Sequence, residues 1–388
     1  MKISITVLAA TSAAAASLLV GSAASAAEAT PEPSARSNPA TGGPAPTPFE
    51  TVPADESAQI SEITDLMVQL LRQRYGDNLA RRGVHPKDHG CVKAQLTVDA
   101  DLPERLRVGV FAKPGKQYDA WVRFSNATGT VTADVAPNGA NSSRGMAIKL
   151  MGVEGSTLLN EPGGKTQDFL LINQPMFAFA NVAEYLDVTR LQVQHRDDGT
   201  KVFPALFANM TPEKAATAKI VKFIAQTRIG NPLESRYFSA APFLFGKNEV
   251  VKFAVMPRVM GATPFPMNPA PNYLREALKK SLDPLSGKPA VFDFQVQSRS
   301  TDSLPIENAS AEWSEDTAPY QTVATLTIPP QDFDNPMRIT ECEHLVFTPW
   351  HALAEHRPLG GINRLRLGVY QASAVYRGQS REPSRFPE

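Results

Sequence analysis

Tyr370 follows Arg366 by four residues, so a helix through both would set the phenol and the guanidinium on one face. A phenol titrates at about 10, and a tyrosinate kept as a metal ligand needs positive charge beside it, which Arg366 can supply. His85, in the segment Arg82-Gly83-Val84-His85, is of the type that accepts a proton and returns it at neutral pH. Asn173, in Asn173-Gln174-Pro175-Met176-Phe177, carries an amide donor able to orient a substrate. Ser125, in Val122-Arg123-Phe124-Ser125, carries a hydroxyl able to support an imidazole. Arg82, Arg123 and Arg377 offer planar forks that stay protonated and bind carboxylates bidentately. Taken singly, each has a plainer reading: a satisfied structural histidine, a turn-forming asparagine, a surface helix pair, a charge at a strand end.

Their joint order sets them apart. The chain carries R-x-x-H at Arg82 to His85, R-F-S at Arg123 to Ser125, and R-G-x-A-x-K at Arg144 to Lys149. N-x-P-x-F follows at Asn173 to Phe177, and R-x-x-x-Y-x-x-x-x-x-x-R at Arg366 to Arg377. From about Arg82 to Arg377 this series resembles the catalase superfamily. Phe347-Thr348-Pro349-Trp350-His351 and Pro358-Leu359-Gly360-Gly361-Ile362-Asn363-Arg364 look like its short catalase-related branch. The resemblance implies an α+β fold, a catalase-like antiparallel β-barrel with surrounding α-helices, that holds haem b. In it His85 and Asn173 match the distal pair, Ser125 the serine supporting that histidine, and Tyr370 the axial ligand with Arg366 one turn before it. Arg82, Arg123 and Arg377 match the arginines that hold the haem propionates, and Tyr185 sits where catalases carry a phenylalanine over the haem face.

The activity implied is haem-dependent breakdown of hydrogen peroxide or organic hydroperoxides, with a small-molecule peroxide and a reductant as partners. Anionic ligation favours the ferric and higher states that such chemistry needs. Two rivals share the resemblance: a fatty-acid hydroperoxide lyase or allene oxide synthase, and a haem-binding or haem-free protein without activity. Val84 before the histidine is similar to catalases, whereas the allene oxide synthase domains carry threonine there. The chain ends soon after the Tyr370 helix, and that helix lacks the aromatic and Pro-Asp neighbours of classical catalases. A more open haem and a preference for larger reductants or hydroperoxides are therefore expected.

Other motifs fail. Gly163-Gly164-Lys165-Thr166 ends like a phosphate loop, but Leu159 stands where its first glycine belongs, so it reads as a turn. His85 and His89 have the spacing of helical zinc ligands, yet Pro86 between them disfavours a helix there. Glu341-Cys342-Glu343-His344 lacks the second cluster that a closed zinc site needs.

The elements that must position these residues are legible as periods. Ile60, Ile63, Met67, Leu70 and Leu71 fall at helical spacing over 57–75, with Asp55 or Ser57 available as N-cap. Alternating β-rich runs follow at 91–98, 120–125, 146–150, 168–172, 250–256, 292–298 and 321–328. Helical patterns at 181–190, 212–228, 273–282 and 362–376 lie between and after them. The pattern predicts an antiparallel barrel or sheet with helices outside, and does not itself decide closure.

The first residues read as an address. Met1-Lys2, an apolar run through Leu18, Leu19 and Val20, and Ala24-Ser25-Ala26 predict a secretory signal over 1–26 and a periplasmic or secreted protein. A Pro/Ala-rich leader over 27–53 cannot bury enough surface to order itself; the haem domain is expected over 54–377 and a polar tail over 378–388. No later run is long enough to span a membrane, and 39 basic against 39 acidic residues without a basic block argue against nucleic acid. An oligomer is compatible with this composition. The two cysteines, Cys91 and Cys342, could pair in an oxidising compartment or remain buried thiols.

Overall fold

The computed structural model describes residues 45–76, 78–159 and 164–379. Helix α1 (Glu56–Tyr75) leads into an antiparallel meander of β1 (Asp88–Val98), β2 (Gln117–Asn126), β3 (Arg144–Met151) and β4 (Thr166–Ile172). The chain then leaves the sheet for α2 (Val182–His195), α3 (Gly199–Leu206) and α4 (Pro212–Gln226). It returns as β5 (Tyr237–Phe238), β6 (Phe243–Phe245) and β7 (Glu249–Pro257), and continues through α5 (Tyr273–Ser281), β8 (Ala290–Ser298) and β9 (Tyr320–Ile328). It closes with α6 (Pro336–His344) and α7 (Gly361–Tyr376).

Eight strands form a closed ring in the order β5-β4-β3-β2-β1-β9-β8-β7, and β6 adds to β7 as a short hairpin. Closure passes through β5: Phe238 pairs Ile172 on one side and Ala254 on the other. Alternation drives the assembly, because Val92, Leu96, Val122, Ile148, Phe253 and Phe294 all point into one buried core. Phe169 is at its centre, edge-on to Phe253 and Phe294 at 4.9 and 4.8 Å between ring centres. The opposite face of the same strands presents a row running Cys91, Arg123, Ala147, Leu170 across β1 to β4. Helices α1, α2 and α7 pack together outside the barrel through Ile63, Met67, Leu186, Ile362 and Leu365.

The long strands each contain an alternating run expected from the sequence, whereas β5, β6, α3 and α6 were not foreseen. Two and three residues carry no period, and α3 holds Pro204 inside eight residues. Asp55 occupies the N-cap of α1 but binds the Gln59 side chain at 2.8 Å rather than a backbone N–H. The expected signal segment and Gly163 lie outside the described residues.

Ordered contacts begin before the expected boundary at residue 54. Arg364, at the start of α7, binds Glu50, Glu56 and Glu307 at 2.5, 2.6 and 2.8 Å, tying the arm before α1 to the helix that carries Tyr370. Burial alone would raise Glu50, but the N–H groups of Thr47 and Gly360 together with Arg364 hold it below the usual carboxylate range. Arg364→Met leaves three carboxylates clustered without their cation. A loss on the order of 3 kcal/mol in denaturant unfolding is expected, and a change within the error of the melts would show the hub to be dispensable.

Candidate active site

His85 stands in the loop between α1 and β1 with φ 56°, a left-handed backbone that a residue with a Cβ adopts only when its surroundings hold it there. Ser125, on β2, supplies one constraint: its hydroxyl lies 2.9 Å from His85 Nδ1. Gly145, opposite Ser125 on β3, supplies another, because a Cβ there would stand 2.6 Å from the imidazole and 2.9 Å from the serine oxygen. A third is the Gly83 N–H, which donates to Ser373 Oγ at 3.0 Å and fastens the histidine loop to α7. With Nδ1 engaged by Ser125, Nε2 is the ring nitrogen left for other partners. Burial, reinforced by the charges of Arg123, Arg366 and His89, pushes the imidazole down to about 3, so it is neutral at ordinary pH.

Three arginines converge on the same cavity as His85. Arg82 donates through Nη2 to the carbonyls of Cys342 and Leu345, both at 2.8 Å, and its Nη1 lies 3.0 Å from the Glu343 carboxylate. Arg377 donates to the Glu343 carbonyl at 2.8 Å. Arg123 reaches only the Pro86 carbonyl, at 3.4 Å, and the Nε atoms of Arg123 and Arg377 are buried without a hydrogen-bond partner. Burial and the neighbouring guanidinium of Arg123 push Arg82 well below its ordinary value, and burial pushes Arg377 down to about 10. Two buried Nε donors without acceptors, on guanidiniums that repel one another, suit an anion.

Tyr370 is on α7 and borders the cavity, with the Arg366 guanidinium 5.7 Å from its ring centre. Arg366 is steadied by Asn363 Oδ1 at 3.3 Å. The cavity leaves about 70 Å³ of space open to a water-sized sphere. A second lobe, with about 200 Å³ of such space, shares Met67, Val84, His85, Ile172, Arg366, Val369 and Tyr370 with the first. Phe177, Phe179 and Tyr185 wall that second lobe. Tyr185 stacks on Phe177 at 6.1 Å and meets Phe179 edge-on at 5.6 Å, and burial beside Tyr370 pushes its phenol up to about 12.

The structure thus brings together His85, Ser125, Arg82, Arg123, Arg366, Tyr370, Arg377 and, in the adjoining lobe, Tyr185. It does not bring Asn173 to the wall of either lobe; its neighbour Ile172 is there instead. The Asn173 side-chain oxygen accepts from the Arg144 N–H at 2.7 Å and from the Gln174 amide at 2.8 Å, which leaves only its amide nitrogen free to donate.

Sequence reasoning missed Gly145, Ser373 and Phe347, which border the cavity. Ser373 could have been found, three residues after Tyr370 on the same helix face. Lys149, completing R-G-x-A-x-K, is buried with Asp168 at 2.7 Å, and His351 lies 3.0 Å from the same carboxylate. This places a fixed ion pair behind Phe347, whose ring is 5.3 Å from the Lys149 ammonium. His89 is on β1 and binds Asn126, the residue after His85's partner Ser125 on β2, at 2.9 Å. Among the described residues no group of three or more His, Cys, Asp or Glu is placed to hold a metal ion, and no helix is long and apolar enough to cross a membrane. Cys91 and Cys342 form a disulfide, with Cα atoms 6.0 Å apart.

No protein-family model and no curated protein sequence matches the chain. Solved structures do. A fungal catalase aligns with a TM-score of 0.59 and 14% identity over 88% of this chain and 67% of its own. A bacterial catalase aligns at 0.55 and 16% over 87% and 63%, and catalase A from Saccharomyces cerevisiae at 0.57 and 16% over 88% and 69%. The chain therefore spans about two thirds of the length of these proteins and has a catalase-like fold.

Proposed function

We propose that this chain, folded like the catalases, is an exported haem protein that breaks down hydrogen peroxide or organic hydroperoxides. The observation that carries the reading is the convergence of Arg82, Arg123 and Arg377, two of them with unpartnered buried Nε donors, on a cavity that also holds Tyr370 and His85. A haem fits these groups: its two carboxylates answer the arginines, and Tyr370, with the Arg366 guanidinium over its ring, offers a phenol oxygen as a ligand for the iron. Haem, when bound, would supply the redox-active iron that cleaves the O–O bond.

The chain's own residues then move protons and shape access. Neutral His85 accepts the proton from one peroxide oxygen at Nε2 and returns it to the other, which departs as water or an alcohol. Ser125 and Gly145 hold the ring in place for both transfers. Asn173, next in sequence to the lining residue Ile172, is assigned a lesser, orienting part. Phe177, Phe179, Ile362 and Leu365 give the second lobe an apolar lining suited to the tail of an organic hydroperoxide.

The test is made on purified protein supplied with hemin. Oxidation of a phenolic donor with cumene hydroperoxide is expected to rival or exceed oxygen release from hydrogen peroxide at equal concentration. Oxygen release far faster than any donor oxidation would make the protein a catalase in the narrow sense. Absence of hemin binding would overturn the reading as a whole.

A further inference from the structure

We propose that the Cys91–Cys342 disulfide is the positioning element of the arginine cradle, so that the grip on an anionic ligand depends on the disulfide being closed. This rests on the reading of Arg82, Arg123 and Arg377 as partners of the haem carboxylates.

All three arginines are referenced to this one cross-link. Cys91 lies directly across the β1–β2 ladder from Arg123. Among the described residues, Cys342 and the three residues after it supply the side-chain hydrogen-bond acceptors of Arg82 and Arg377. The carbonyls of Cys342 and Leu345 and the carboxylate of Glu343 take Arg82, and the carbonyl of Glu343 takes Arg377. The peptide groups that aim two arginines are thus bolted, through sulfur, to the strand beside the third.

Helix α6 is short, and apart from the disulfide it is held to the barrel mainly by Arg338, whose guanidinium lies 4.8 Å from the Trp121 ring centre. Of its nine residues only Cys342 is fully buried. Met337 and Ile339 of the same helix are exposed. The disulfide sits in an apolar cluster with Leu345, Phe347 and Leu170, and the last two also border the cavity. Three guanidiniums repel one another, and their spacing survives only while the acceptors facing them stay in place. Opening the disulfide frees α6 to move outward, taking the acceptors of Arg82 and Arg377 with it, while the barrel core on the other face of β1 is unchanged.

A merely structural disulfide and a positioning one differ in which ligand they affect. Hemin and hemin dimethyl ester are titrated into wild type, Cys91→Ala/Cys342→Ala and Arg82→Leu, with melting curves recorded for each. The disulfide variant is expected to bind hemin about tenfold more weakly and the ester, which lacks carboxylate charge, within about twofold of wild type. Equal losses for both ligands would show a general role in the fold and overturn the proposal. Weakening in Arg82→Leu with none in the disulfide variant overturns it as well, leaving the cradle intact. Hemin binding unaffected by either substitution overturns the cradle reading itself. Should the double variant fail to fold, the same titrations on folded wild type treated with dithiothreitol decide the matter.

Discussion

Tyr370→Phe is expected to leave a folded protein that no longer retains haem through purification. The ring packs beside Leu170 and Phe347, and phenylalanine preserves that packing, so the melting temperature should move little. What is removed is the phenolic oxygen of a residue shared by both lobes, while the ring that Arg366 lies over is kept. Groups that merely orient a metal ligand cost roughly 10–100-fold in affinity when lost, so loss of the ligand itself should exceed that range. Haem per chain and the visible spectrum measure the effect. An unchanged spectrum and stoichiometry in the variant would remove Tyr370 from the assignment, as would a wild-type spectrum typical of histidine ligation.

That Tyr370 could be singled out from the sequence, and Cys342 could not, has a physical basis. Arg366 and Tyr370 act through side chains at a helical repeat, and His85, Ser125 and the arginines act through side chains of distinctive chemistry; residue type and spacing carry that information. Gly145 acts by lacking a Cβ, Cys342 and Leu345 act through carbonyl oxygens, and Gly83 through an N–H, none of which leaves a trace in composition. The barrel shows the same division. Strands such as β8, with Phe292, Phe294 and Val296 buried in alternation, announce themselves by period. Closure hangs on Tyr237 and Phe238, a pair too short to have a period and set by long-range pairing with Ile172, Ala254 and Val255. The arm holding Glu50 was read as too polar to order; it is ordered by an arginine more than three hundred residues away, a contact no local window contains.

The placement of Asn173 changes how the distal side divides its work. On the proposed reading, an amide lining the cavity would share the handling of a peroxide with the imidazole; one outside both lobes, with its oxygen taken by the Arg144 N–H and the Gln174 amide, would leave the proton transfers to His85. His89, buried and bonded to Asn126, is itself pushed down to about 4, chiefly by burial, and lines neither lobe.

His85→Ala should therefore keep its haem yet respond to peroxide more slowly by a factor on the order of 100 or more, the contribution typical of a positioned acid–base group. Asn173→Ala should have a smaller effect. The binding elements are untouched, since Tyr370 and the three arginines hang on α7, β2 and the Cys342 segment rather than on the imidazole. Rapid mixing with peroxide, following the visible spectrum, reads the rate directly. Its pH dependence gives a second signature. Because burial and the charges of Arg123 and Arg366 hold His85 down to about 3, the proton-accepting neutral form dominates from neutral pH to about 4. Protonation removes it only as the pH falls through about 3. Wild type should accordingly show a level rate across that acidic range where a free histidine, titrating at about 6.5, would already have lost most of its activity. Equal peroxide rates in wild type and His85→Ala would exclude the histidine from the reaction, and a wild-type rate falling with a midpoint at about 6.5 would show that the imidazole is not held in the buried, charge-opposed site described.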